Sequence, residues 1–64
     1  MNRFELMTLF SYAKLNLISE RNYWEVALLK CDDEAKRRAC QENIDFYKNE
    51  LKKVTEWYEK EFDK

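Results

Sequence analysis

In the first half of the chain, apolar residues recur at Leu6, Phe10, Ala13, Leu17, Trp24, Ala27 and Cys31. The steps are four, three, four, seven, three and four, and Glu20 occupies the position that the step of seven skips. This is the 4–3 spacing of a helix that packs one stripe against another helix, with one polar interruption. The second half repeats it: Cys40, Ile44, Tyr47, Leu51, Val54 and Tyr58 step by four, three, four, three and four. Between the two seams lies Lys30–Cys40, KCDDEAKRRAC. Asp32 or Asp33 is suited to cap a second helix, because its carboxylate accepts from free amides of the first turn and its charge suits the positive helix end. Asp32–Lys36, Asp33–Arg37 and Glu34–Arg38 follow as acid-to-base pairs four residues apart. Each pair in that order is worth about 0.2–0.5 kcal/mol.

The pattern predicts one domain over residues 1–64, with a helix at about 3–31, a turn at about 31–33 and a helix at about 33–62. Asn2 and Glu5 form a loose capping box at the start of the first helix, with Met1 and Leu6 as a hydrophobic staple. Folding the chain at Asp32 sets opposite each other residues whose numbers add to about 64. Leu6 then meets Tyr58, Phe10 meets Val54, Leu17 meets Tyr47, Glu20 meets Ile44 and Trp24 meets Cys40. The expected fold is therefore all-α, a long antiparallel helical hairpin of coiled-coil character. A second reading breaks the first helix near residues 16–19, with Asn16 as a C-terminal cap and Ser19 as a new N-cap, giving three helices. Continuity of the heptad phase through that segment favours the unbroken helix.

The first helix carries more apolar residues than one seam needs. Phe4, Leu15, Ile18 and Leu29 fall opposite the seam with Ser11 and Asn22 among them, and Met7, Tyr12 and Val26 flank the stripe. A helix apolar nearly all round is buried on more than one side. The expected use of Phe4, Leu15, Ile18, Asn22 and Leu29 is self-association, with two hairpins paired as a homodimeric four-helix bundle. The competing use is a face for a foreign protein. On the second helix Phe46 and Trp57 lie off the seam near Ala39, Glu50 and Lys53. Aromatic residues beside charged ones are typical of binding hot spots, so these five are the expected partner-binding residues; the competing reading is that Phe46 and Trp57 wrap the seam edge or fill a dimer groove.

Composition narrows the chemistry. The 64 residues include no Gly and no Pro, which argues against tight β-hairpins and suits helix. With 39% charged and 45% hydrophobic residues, the chain is neither disordered nor membrane-spanning by composition. The net charge of −1 gives no global pull toward nucleic acid or acidic lipid. No apolar run reaches the length of a membrane span, and no signal-peptide cleavage site follows the apolar start. The expectation is a cytoplasmic protein without membrane contact, and Met1 in first position suggests a complete small reading frame.

Histidine is absent, which removes the commonest general base and the commonest metal ligand. No Ser or Cys has a base to activate it. The two cysteines, nine residues apart, are expected to serve as small seam residues rather than as a metal site or an intrachain disulfide. The acidic clusters Asp32–Glu34 and Glu56–Asp63 read as solvated helix ends. Gln41-Glu42-Asn43-Ile44-Asp45 resembles, over five residues, the Ser-Gln-Glu-Leu-Asp motif of the small sporulation phosphatases, which are also helical hairpins. Here Cys40 stands in place of the Ser, and one inserted residue turns Asp45 by about 100° around the helix. The match is too short and too altered to assign the family.

What remains is a non-enzymatic protein without cofactor or metal. The first expectation is a small protein-binding module that inhibits or modulates a partner, of the kind carried by phages and mobile elements. The alternatives are a structural assembly unit, or a nucleic-acid-associated regulator using Lys36, Arg37, Arg38, Lys52 and Lys53 as a local basic patch.

Overall fold

The computed structural model describes residues 2–63 and consists of two helices in antiparallel contact. Helix α1 spans Arg3–Lys30 and helix α2 spans Glu34–Phe62. The rod measures 47 × 15 × 11 Å, one helix pair in thickness. Helix α1 passes through Asn16–Ser19 as helix.

Both starts are capped by side chains. The amide of Glu5 donates to Asn2 Oδ1 at 2.8 Å. The Glu5 carboxylate answers by accepting from Asn2 Nδ2 at 3.0 Å, a side-chain version of the capping box. The proposed staple partner Met1 lies outside the described residues. At α2 the cap is Asp33, whose Oδ1 accepts from the amide of Ala35 at 2.9 Å. The three expected acid-to-base pairs across the first turn of α2 do not close to ion-pair distance: Lys36, Arg37 and Arg38 stand exposed and separate from Asp32, Asp33 and Glu34. Asp33 turns onto the helix end instead, where its charge meets the positive end of the dipole.

The seam follows the 4–3 pattern. Leu6, Cys40 and Ile44 are buried, Ile44 most completely at 2% exposure. Phe10, Ala13, Leu17, Trp24 and Ala27 on α1 and Cys31 just after it are half-buried, as are Tyr47, Leu51, Val54 and Tyr58 on α2. The skipped position is taken by Arg21, not Glu20. Glu20 is exposed, while Arg21 is half-buried and fills the gap between Leu17 and Trp24, one position out of strict alternation. The long aliphatic stem of an arginine can line an apolar seam while its head reaches the edge.

The linker spans residues 31–33, with Cys31 and Asp33 both extended, ψ 132° and 128°, and α2 begins at Glu34. Across the helix pair Phe10 stacks on Tyr58, with ring centroids 4.1 Å apart. Beside the linker Cys40 meets Cys31. At the far end Arg3 sits over the Phe62 ring at 5.1 Å and Tyr58 packs against Phe62 at 5.0 Å, which ties the first turn of α1 to the last of α2.

Ile44→Ala should therefore lower stability by about 2–4 kcal/mol, read as a shift of the urea midpoint with little change in slope. A loss below about 0.5 kcal/mol would mean that the seam around Ile44 is not packed as described.

Candidate functional site

Helix α1 exposes an apolar face away from α2. Phe4 and Leu29 at its ends are 81% and 86% exposed, with Met7, Tyr12, Leu15, Tyr23 and Val26 exposed between them. A seven-residue step returns to nearly the same side of a helix. Leu15, Asn22 and Leu29 form one such row, and Phe4, Ser11 and Ile18 form the adjacent one. Together they make a second 4–3 seam on the outer side of the helix. Ile18 departs from the expected placement. It is half-buried rather than fully outward. The Thr8 hydroxyl donates to the Phe4 carbonyl at 2.8 Å, so its hydrogen-bonding demand is met within the helix. Shallow grooves run along this face, one lined by Phe4, Met7, Thr8, Ser11 and Tyr12 and another by Ser19, Asn22, Tyr23, Val26, Ala27 and Lys30. Helix α1 is thus apolar around most of its circumference, whereas α2 concentrates its apolar residues on one side.

On α2 the expected partner-binding residues share one flank. Phe46 and Trp57 are 54% and 44% exposed, and eleven residues bring a helix to within about 20° of the same direction. Ala39 and Lys53 are exposed beside them. Glu50 is half-buried and pairs with Lys53, Oε1 to Nζ at 3.3 Å. The Phe46 ring meets Tyr47 edge-on at 5.2 Å, so it is braced by a seam residue while its outer face stays open.

The five basic candidates do not gather. Successive residues on a helix point about 100° apart, so Lys36, Arg37 and Arg38 fan around α2. Lys52 and Lys53 are more than three turns further along, and Lys53 is engaged by Glu50. Among the described residues no group of three or more Cys, Asp or Glu side chains converges as a metal site would require.

The two cysteines are the feature that sequence reasoning missed. Cys31 and Cys40 place their Sγ atoms 3.8 Å apart, although a tight turn at Asp32 would separate them. Cys40 is buried and Cys31 half-buried, and both thiols are free. Burial pushes the Cys40 thiol above its ordinary value, and the hydrogen bond and charge proximity of Cys31 push the same way. The signal available in the sequence was the pair Asp32-Asp33 itself, since two good caps in a row leave room for an extended linker before the helix.

Buried edge polarity gives one further element of the site. Arg21 Nε is enclosed and has no hydrogen-bond partner among the described residues, and the Glu25 carboxylate stands 3.7 Å away. That is a long, weakly directed ion pair at the junction of the inner seam and the outer face.

Searches against protein-family models, curated proteins and solved structures find no match to this chain.

Two measurements check the electrostatics. The Cys40 thiol is held protonated in the folded chain to higher pH than in the unfolded one. Its contribution to stability is therefore complete below the unfolded thiol range and is lost as pH rises from there through the raised folded value. Urea midpoints of the reduced chain should fall as pH climbs past about 8.5, and Cys40→Ala should flatten that fall. An unaltered slope would contradict the burial of this thiol. Arg21→Leu should raise the midpoint, by about 0.5–1 kcal/mol, because it replaces an unsatisfied buried donor by a side chain that fits the seam. A lowered midpoint would show that the Glu25 pair matters more than its geometry indicates.

Proposed function

We propose that this chain is a non-enzymatic protein-binding module that pairs with a second copy through the outer face of α1 and presents the Phe46–Trp57 flank of α2 to a partner protein, which it inhibits or modulates. The observation that carries this is the second heptad seam on α1, left uncovered by α2.

A second copy is favoured over a foreign helix by the symmetry of that seam. Laid antiparallel on itself, the stripe pairs residues whose numbers add to 33. Phe4 then meets Leu29, Ser11 meets Asn22, and Leu15 meets Ile18, while Met7 and Val26 share a layer. Large apolar residues face large apolar residues, and the two small polar ones face each other. Thr8 meets Glu25, whose charge is already shared with Arg21. A two-fold interface must be self-complementary in this way, and a face evolved for a different chain need not be. The shortage of core points in the same direction. Chains of this length are only marginally stable on one small core, and pairing of identical copies is a common remedy.

In this arrangement α2 and its Phe46–Trp57 flank remain on the outside. A braced aromatic, an exposed indole and a fixed Glu50–Lys53 pair give the apolar anchors and the polar rim of a protein-recognition patch.

Leu15→Glu with Leu29→Glu should convert the dimer into monomer or unfolded chain in sedimentation velocity, because both residues are outside the hairpin seam. A dimer that survives would overturn this interface. The register is tested in a background with Cys31→Ser and Cys40→Ser. Chains carrying Ser11→Cys mixed with chains carrying Asn22→Cys should cross-link to each other far more readily than either does to itself. Preferential 11-to-11 linkage would show a parallel pair instead. For the second face, Trp57→Ala should weaken the partner complex at least about tenfold while the dimer persists. Unchanged affinity would place recognition elsewhere.

A further inference from the structure

We infer that Cys31 and Cys40 form a dithiol modification site, which a low-molecular-weight disulfide such as oxidised glutathione converts into an intrachain disulfide that staples the interhelical linker to α2. Nothing in this inference depends on the dimer or on the Phe46–Trp57 flank.

The geometry supplies what such a site needs. The two Sγ atoms are already 3.8 Å apart. Closing to a bond of about 2.05 Å requires a movement of under 2 Å shared by two side chains. Cys40 is fixed, buried on α2 two turns beyond its N-terminus. Cys31 lies on the three-residue linker, where the backbone is extended and its amide is held to the Leu28 carbonyl by one bond of 3.3 Å. One sulfur is therefore anchored and the other is able to adjust. Their exposures also differ in a useful way. Half-buried Cys31 is reachable by a small oxidant, and buried Cys40 is reachable only from Cys31.

The exchange balances. Cys31 gives up its proton, and its thiolate attacks one sulfur of the small disulfide. A mixed disulfide forms on Cys31, and the first small thiolate leaves. Cys40 then gives up its proton and attacks the Cys31 sulfur. The Cys31–Cys40 bond forms and the second small thiolate leaves. The two departing thiolates take up the two protons, so two protein thiols are oxidised and one small disulfide is reduced to two thiols. Burial, which holds the Cys40 thiol protonated to higher pH, makes the second step the slower one near neutrality.

The test equilibrates the full-length chain with mixtures of reduced and oxidised glutathione, quenches with acid, and reads intact mass and free thiols. The expected product is a chain lighter by two hydrogens, with no free thiol and no covalent dimer. Its equilibrium constant with glutathione should be at least about tenfold larger folded than in the same chain unfolded in urea, since the fold brings the sulfurs together. Cys40→Ser should accumulate a glutathione adduct on Cys31. Cys31→Ser should react at least about tenfold more slowly, because only the buried thiol remains. Equal constants in folded and unfolded chain, a stable double glutathione adduct, or a disulfide-linked dimer as the main product would each overturn the inference. Circular dichroism of both serine variants establishes that they keep their helices, and loss of helicity in a variant transfers the decision to the folded-versus-unfolded comparison on the native sequence.

Discussion

Two helices in contact share only one line of packing. Each contributes a single stripe to it, and everything else on either helix is left to water or to another molecule. In this chain that line buries Leu6, Cys40 and Ile44 and half-buries the rest of the seam. The consequence differs for the two helices. Helix α2 places most of its apolar residues on the line, with Phe46 and Trp57 left exposed on one flank and charges over the rest of its outer side. Helix α1 has a second stripe for which the hairpin provides no cover. The linker obeys the same constraint, since without Gly or Pro the chain turns through extended residues and relies on Asp33 to restart the helix.

How much of this was legible in the sequence follows from which features are periodic. The helices and the stripe residues were, because the 4–3 spacing constrains both the element and its buried face. The Asn2 cap was as well, and the second cap was narrowed to Asp32 or Asp33, because the chemistry of a capping side chain is local. The outward placement of Phe4, Leu15, Leu29, Phe46 and Trp57 likewise follows from counting residues around a helix. The Cys31–Cys40 contact was not legible, because it depends on where the linker ends, and Asp32 and Asp33 are equally good caps on paper. Arg21 was missed for another reason. Scored by its charge it looks like surface, yet its stem fits the seam that Glu20 was expected to interrupt. Of the acid-to-base pairs of the turn, Asp33–Arg37 failed because Asp33 has a better partner in the helix end.

The structure also places its distinctive features at separate ends and sides of the rod. The outer stripe of α1 runs the length of the helix, the aromatic flank lies on α2, and the dithiol sits at the corner. In the proposed dimer the stripe is covered, while the flank and the corner stay open to a partner and to small oxidants. Stapling the corner would fix the linker without crossing the α1–α1 contact. Self-association, recognition and thiol chemistry can therefore coexist on 64 residues without competing for surface.

The central claim is that the uncovered face of α1 is covered by a second copy, so that folding and pairing are linked. The concentration dependence of thermal unfolding tests it most directly, using the reduced native chain and a hundredfold range of concentration. If folding and pairing are linked, the midpoint of the helix signal rises steadily with concentration, by several degrees across that range. A midpoint that stays constant, with the mass of a monomer at every concentration, would contradict the account.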